Sequence, residues 1–197
     1  MQRHTEQRPD ALAAHQRDGW VSNKVGNAPT PPGRAASTSD LNNSDTKSAR
    51  LAIDVPASDV VDIAYRGDYN DVDQNSSFSQ LYRSSLPFLT PYVSKSRLTS
   101  ATIDGPSFER SKTQGHSLTI DWRVSDTNTL RSITAKRKLT WQDGLDLDGS
   151  PLDIARTQRL SDYSSTSQEL QWIGNSGGLQ YVAGVYYFKD EIGRAHV

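Results

Sequence analysis

The stretch QGHSLTIDWRV, Gln114 to Val124, decides the predicted fold because apolar and polar side chains alternate along it. The apolar parity carries His116, Leu118, Ile120, Trp122 and Val124, and the polar parity carries Ser117, Thr119, Asp121 and Arg123. A period of two is typical of a β-strand that has one apolar and one wetted face. The same pattern recurs in SARLAIDV (Ser48 to Val55) and VDIAYRGDY (Val61 to Tyr69), which predicts a sheet of such strands.

The connections between these strands alternate between short and long. Three short connections have turn chemistry: Pro56 to Asp59, Ser125 to Asn128 and Asn175 to Gly178. The long connections are Lys24 to Lys47, Asn70 to Lys112 and Lys138 to Ser165. A compact soluble domain seldom has structureless loops of this length, whereas an outer-membrane barrel has short periplasmic turns and long extracellular loops.

This rhythm predicts an all-β fold, an antiparallel transmembrane β-barrel segment of about seven meander strands that forms an incomplete barrel. The predicted strands are Arg17 to Asn23, Ser48 to Val55, Val60 to Tyr69, Thr113 to Val124, Thr129 to Arg137, Thr166 to Gly174 and Leu179 to Lys189. Two parities stay open. Leu130 falls on the opposite parity from Ile133 and Ala135 in the fifth strand, and the seventh strand is apolar on both faces.

The composition agrees with such a chain and excludes several function classes. Only 34% of the residues are hydrophobic and the mean hydropathy is -0.69, as expected where much of a fold faces water. The chain has no cysteine, which excludes disulfides and thiolate chemistry, and its net charge of -1 argues against nucleic acid as a partner. No apolar run reaches the length of a transmembrane helix.

Aromatic residues lie near both predicted strand ends, as in the girdles at the two membrane interfaces. Trp122 and Trp172 lie beside short turns, and Tyr69, Trp141 and Tyr187 lie near the long connections. The general enrichment of aromatics in strands is the alternative explanation.

The stretch from about Gly19 to Asp190 resembles the barrel region of TonB-dependent receptors. The matching segments are RDGWVSN (Arg17 to Asn23), the hairpin Ser48 to Asp73, DTNTLRSITAKRKL (Asp126 to Leu139) and SQELQWIGNSGGLQYVAGVYYFKDE (Ser167 to Glu191). The last two are the most specific. The family's plug domain, its energy-coupling TonB box and its final aromatic-ended strand have no counterpart here, and a whole receptor has 22 strands.

The resemblance implies an outer-membrane location and active uptake of a scarce nutrient: a ferric siderophore, vitamin or oligosaccharide. The implied partners are outer-membrane lipid and lipopolysaccharide, a small-molecule ligand, and the TonB–ExbB–ExbD energy-coupling complex acting through the plug region. Two alternatives stay open, a soluble β-sandwich that binds carbohydrate and a passive porin.

The chain divides into three predicted parts. Residues 1–16 form a poorly ordered or truncated N-terminal segment, and residues 17–190 form the receptor-like barrel fragment. The tail EIGRAHV, Glu191 to Val197, resembles the translation of a sequencing adapter.

The sequence predicts no catalytic, cofactor-binding or metal-ligating residues and no enzymatic activity, and it leaves the ligand-binding residues unknown. Asp143, Asp146, Asp148 and Asp153 cluster, but they lack the ligand order of a calcium loop and are predicted to lie in a solvated extracellular loop. The basic run Lys136 to Lys138 is predicted to be a solvated strand end, with lipopolysaccharide or an anionic ligand as the alternative contact. His4, His15, His116 and His196 are scattered, and His116 is predicted to face lipid near the outer end of its strand.

Overall fold

The computed structural model describes residues 11–24 and 40–195, and these form strands, turns and one short 3-10 helix, Pro87–Tyr92. The strands are β1 (Ala11–Arg17), β2 (Val21–Asn23), β3 (Asp40–Leu41), β4 (Ser44–Ser58), β5 (Val61–Gln74), β6 (Ser100–Ala101), β7 (Phe108–Ser125), β8 (Asn128–Asp146), β9 (Arg156–Ser176) and β10 (Leu179–Ala195). In this described part, no helix has the length and apolarity needed to cross a membrane.

Seven strands form one open antiparallel sheet in the order β1-β4-β5-β7-β8-β9-β10, with β1 and β10 at its edges. From β4 onward, strands that follow one another in this sheet are also neighbours, which is a meander. A small sheet of order β3-β2-β6 lies beside it in the connections. The predicted all-β class and the antiparallel sheet of seven strands are therefore confirmed.

All three predicted short connections are two-residue turns. They consist of Asp59 and Val60, Asp126 and Thr127, and Gly177 and Gly178. Gly177 and Gly178 have φ of 58° and 86°, the pair of positive values that a tight type I′ hairpin requires and that glycine adopts without steric cost. Pro56 lies inside β4 rather than in its turn, and the register shifts between Pro56 and Ser58.

The predicted first strand is wrong in position. The strand that joins the large sheet is β1, which pairs with β4 from Ala11 to Arg17, whereas Val21 to Asn23 form β2 of the small sheet. Short alanine side chains at Ala11, Ala13 and Ala14 give β1 almost no contrast between its two faces, so no alternation marks it. Residues 11–16 are thus strand, and residues 1–10 lie outside the described residues.

The long connections are shorter than predicted because the strands continue into them. β4 begins at Ser44, β5 ends at Gln74, β7 begins at Phe108, and β8 and β9 leave only residues 147–155 between them. These extensions carry polar side chains on both faces, so no alternation of hydropathy marks them. The ladder of backbone hydrogen bonds nevertheless continues through them. The backbone of β10 likewise runs to Ala195, and the adapter origin of the tail stays a prediction.

The buried hydrophobic residues of the described chain lie in the connections and not in the large sheet. They are Val21, Leu41, Leu89, Ala101 and Ile103. The large sheet forms its extensive strand contacts only between neighbouring strands, and no second sheet is stacked on it in the described part. The fold is therefore a single-layered wall with a small packed core at the end where the long connections lie.

Candidate functional site

One face of the large sheet is apolar across almost its whole width. Residues paired directly across an antiparallel ladder point to the same side, and here Ile53, Tyr65 and Leu118 form one row while Val55, Ile63 and Ile120 form the next. We call this side of the sheet the apolar face; the apolar side chains of its central rows are Leu51, Ile53, Val55, Val61, Ile63, Tyr65, Leu118, Ile120, Trp122, Leu130, Leu170, Trp172 and Val185. The alternation of apolar and polar side chains therefore continues from strand to strand.

The apolar face is uncovered. Ile53 is 44% exposed, Trp122 47% and Val185 70%. Burial of one such side chain stabilises a protein by about 1.5 to 3 kcal/mol. Covering all thirteen side chains would therefore add a large stabilisation that the uncovered sheet lacks. Soluble monomers rarely expose a contiguous apolar patch of this extent, so the face is a candidate interaction surface.

The opposite face is lined by paired charges, and we call it the polar face. Arg131 donates two hydrogen bonds to Asp121, at 2.6 and 2.7 Å, and Arg66 lies 2.7 Å from Asp54. Arg137 and Asp68 are 3.1 Å apart. All of these groups are partly exposed, so the pairs are solvated and each contributes little to stability.

Register resolves the two strand parities that the sequence left open. Leu130 lies between Trp122 and Trp172 on the apolar face, whereas Ile133 and Ala135 point to the polar face. β10 is apolar on both sides: Ala183, Val185 and Tyr187 extend the apolar face, and Val182, Tyr186 and Phe188 lie on the polar face. The rings of Tyr186 and Phe188 stack with centroids 6.4 Å apart.

Aromatic residues mark the short-turn end of the apolar face. Asn128 Oδ1 accepts hydrogen bonds from Trp172 Nε1 at 3.1 Å and from the Tyr181 hydroxyl at 2.6 Å. Tyr181 reaches Asn128 by crossing Gly174 of the intervening β9, where an added Cβ would lie 2.2 Å from its ring. Trp122 and Trp172 therefore share the apolar face beside the short turns, as their parity predicts.

The aromatic residues toward the other end divide between the faces. Tyr69 is on the apolar face and its hydroxyl donates to Asp71 at 3.1 Å, and Tyr187 lies on the same face opposite Gln168. Trp141 is on the polar face, where the Arg159 guanidinium lies 4.9 Å from its ring centroid. Its predicted place in an outer girdle is wrong, because its odd position in β8 gives it the parity of Arg131 and Arg137.

The acidic residues at the end of β8 and in the connection after it are structural acceptors. Asp143, Asp146 and Asp148 are 4%, 5% and 9% exposed, so the predicted solvated loop is wrong for these three. Asp146 accepts from Gly105 N at 3.0 Å and from Gly149 N at 2.8 Å, and its burial raises its pKa.

The neighbouring carboxylates have equally specific partners. Asp148 accepts from the amides of Ser150 and Ala155, each at 3.0 Å, and Asp143 forms an ion pair with Arg159. Asp153 alone of the four is exposed, with Arg156 at 3.2 Å. Among the described residues no group of three or more acidic or histidine side chains is placed to hold a metal ion.

The long connections pack together into what we call the loop cap, residues 18–24, 40–43, 75–107 and 147–155. Its centre is the hydrophobic core of Val21, Leu41, Ala101 and Ile103, with Phe78 packed against it. Asn23 is 2% exposed and joins two segments, since its side-chain amide donates to Ile103 O at 2.9 Å and accepts from Ile103 N at 3.1 Å. Sequence reasoning missed this cap because strands of two or three residues are too short to show a period.

Basic residues and histidines follow the parity of the sheet. Lys136 and Lys138 lie on the apolar face and Arg137 lies on the polar face. All three lie in the middle of β8, so their predicted place at a strand end is wrong. His116 has the predicted apolar parity, but it lies in the middle of β7 and not near its outer end, and its Nδ1 is 2.6 Å from the Tyr65 hydroxyl. His15 is exposed in β1, and His4 and His196 lie outside the described residues. These residues form no catalytic arrangement within the described part of the chain.

The chain matches no protein-family model, and no curated protein or solved structure shows significant similarity to it. Its function must therefore be inferred from the two faces of the sheet, the turns and the loop cap. A sheet of this kind can separate two surroundings, with an apolar medium or partner on one side and water on the other.

Proposed function

We propose that the chain forms part of the barrel wall of an outer-membrane TonB-dependent receptor, which takes up a scarce nutrient such as a ferric siderophore, vitamin or oligosaccharide. The observation that carries the proposal is the uncovered apolar face. Hydrocarbon covers such a face without any protein layer, and the polar face then lines a wet lumen.

On β5 the apolar face runs over nine residues from Val61 to Tyr69, roughly 27 Å along the strand. A strand tilt of about 40° reduces this to roughly 21 Å of height, against an apolar band of about 25 Å in outer-membrane barrels. Across the whole sheet the rows without charge end sooner, because Lys136 and Lys189 already stand in the row of Gly67. The ends of β7 and β8 extend beyond this band and carry the loop cap.

The asymmetry of the two ends supports the same proposal. One end has three two-residue turns and the other has the loop cap. Barrels of this kind have short periplasmic turns and long extracellular connections, so the loop cap would face the outside and contact ligand. The open edges β1 and β10 would pair with further strands of a closed barrel, because lipid cannot satisfy their backbone groups.

The two alternatives, a β-sandwich and a passive porin, predict different surroundings for the large sheet. A β-sandwich would cover the apolar face with a second sheet, and the described residues contain none on it. A passive porin shares the wall, the turns and the loops. The resemblance of Asp126 to Leu139 and Ser167 to Glu191 to the receptor family favours the receptor.

The test is expression of the parent gene in a Gram-negative host. Fractionation, heat-modifiable migration and the uptake of ferric siderophores, vitamins and oligosaccharides are measured in the same cells. We expect an outer-membrane protein whose unboiled form migrates differently from the boiled form, and uptake that stops when the energy-coupling complex is deleted. Recovery as a folded soluble monomer would contradict the membrane wall. Uptake that continues without the coupling complex would identify a porin.

A further inference from the structure

The charged residues on the apolar face are layered. The last row without charge contains Ile53, Tyr65, Leu118, Thr134 and Gln168. In the next row, about 7 Å further along the strands, the charged residues are Lys136 and Lys189. Cations therefore come directly after the apolar rows.

Carboxylates occur further from the apolar rows or are already paired. The row of Lys138 also holds Glu191, which forms an ion pair with Lys189 at 2.6 Å. The row after it holds Asp71, 3.7 Å from Lys112, together with Asp162. Asp73 lies one row further still, the fourth beyond the last uncharged row, and is 3.1 Å from Arg110.

Lys136 and Lys138 are exposed and form no ion pair in the described part of the chain. The residues paired with them are polar side chains without negative charge: His116 and Thr166 beside Lys136, and Gln114 and Ser164 beside Lys138. The two ammonium groups stand on one strand at a spacing of about 7 Å, so both can reach a single phosphate. The neighbouring hydroxyl and amide groups supply further donors.

We propose that Lys136 and Lys138 bind the phosphate of an anionic lipid whose acyl chains lie along the apolar face toward Leu118 and Ile120. The inference rests on the proposed membrane wall and names its lipid contact. Charge complementarity selects the occupant: a cation pair at the boundary of an apolar surface matches a molecule with an anionic head and a hydrocarbon tail. Solvated lysines with no headgroup preference are the alternative.

The test measures flotation of the full-length parent protein with two kinds of vesicle, phosphatidylcholine alone and phosphatidylcholine with phosphatidylglycerol. The double variant Lys136→Gln, Lys138→Gln is compared with the control Lys24→Gln, Lys95→Gln, which removes the same charge from exposed positions in the loop cap. We expect the wild type and the control to prefer the anionic vesicles by about tenfold to thirtyfold. The test variant should lose that preference, and Lys136→Arg, Lys138→Arg should retain it.

Each other outcome overturns a specific claim. Equal binding of the wild type to both vesicles, or equal loss in both double variants, overturns the lipid site but leaves the membrane wall. Displacement of the wild type from anionic vesicles by millimolar inorganic phosphate shows a site for free phosphate instead. Failure to float with either vesicle contradicts the proposed wall itself.

Discussion

The Arg137 guanidinium donates a hydrogen bond to Asp68 Oδ1 at 3.1 Å, although β7 lies between their two strands. The residue between them is Gly115, which pairs with both. A Cβ at Gly115 would lie 2.5 Å from Asp68 Oδ1 and 2.9 Å from Arg137 Nη2. The missing side chain is therefore what allows two strands that are not neighbours to be joined across the polar face.

Gly115→Ala should uncouple Asp68 from Arg137 with little change in total stability. The half-exposed pair is worth about 0.5 kcal/mol, and alanine in a strand recovers a similar amount relative to glycine. A double-mutant cycle with Asp68→Ala and Arg137→Ala, read from unfolding in lipid vesicles, should give about 0.5 kcal/mol of coupling in the wild type and none in the Gly115→Ala background. Gly193→Ala is the control, since the atoms nearest its Cβ are 3.7 Å away, and coupling should survive it.

Ile120→Arg and Thr119→Arg should differ because adjacent residues of β7 lie on opposite faces. We expect Ile120→Arg to lower the free energy of unfolding in vesicles by about 2 to 4 kcal/mol if the apolar face meets lipid near the midplane. Thr119→Arg adds its charge to a wetted surface and should cost much less. Equal losses would show that the two faces do not have different solvents.

Tyr181→Phe should lower the unfolding free energy by about 1 kcal/mol, because Asn128 Oδ1 loses its 2.6 Å donor and Trp172 remains as the other. Tyr186→Phe removes the same hydroxyl from the polar face of the same strand, where the side chain is 64% exposed. It should be nearly neutral. A larger effect at Tyr186 would contradict the assignment of Asn128 as the acceptor that joins β8 to β10.

Asp146→Asn should loosen the loop cap. The two carboxylate oxygens of Asp146 each accept one backbone amide, and asparagine offers only one oxygen to these two donors. An unsatisfied buried donor costs about 1 to 3 kcal/mol, so the amides of Gly105 and Gly149 should exchange hydrogen faster by a corresponding factor. Asp126→Asn, at an exposed turn, is the control and should leave both amides protected.

The same site should make the loop cap pH-dependent. Burial raises the pKa of Asp146 in the folded state, so the folded form binds a proton more readily than the unfolded form. Its contribution to stability therefore increases as pH falls through the raised pKa toward the ordinary aspartate value. The stability difference between the wild type and Asp146→Asn should widen over that interval, and a narrowing difference would contradict the sign of the shift.

Much of the sheet could be predicted from individual residues, but its first strand and the outer ends of its long strands could not. Leu118, Ile120 and Trp122 indicate a strand because their neighbours are polar, and Gly177 with Gly178 indicates a hairpin. β1 and the outer halves of β7 and β8 lack such contrast, so their pairing depends on a ladder of backbone hydrogen bonds that any side chain permits. The loop cap depends on contacts between segments up to 80 residues apart, such as Asn23 with Ile103.

Local alternation determined which side chains share a face within each strand, since the pleat sends successive residues to opposite sides whatever the chain does elsewhere. Register decided how those faces join: that Leu130 aligns with two tryptophans, that Trp141 turns to the polar face, and that Arg137 crosses a glycine to reach Asp68. Burial of Asp143, Asp146 and Asp148 was also decided only in three dimensions. Each has an amide or guanidinium partner elsewhere in the chain, and a carboxylate carries no local sign of the donor that folding will bring to it.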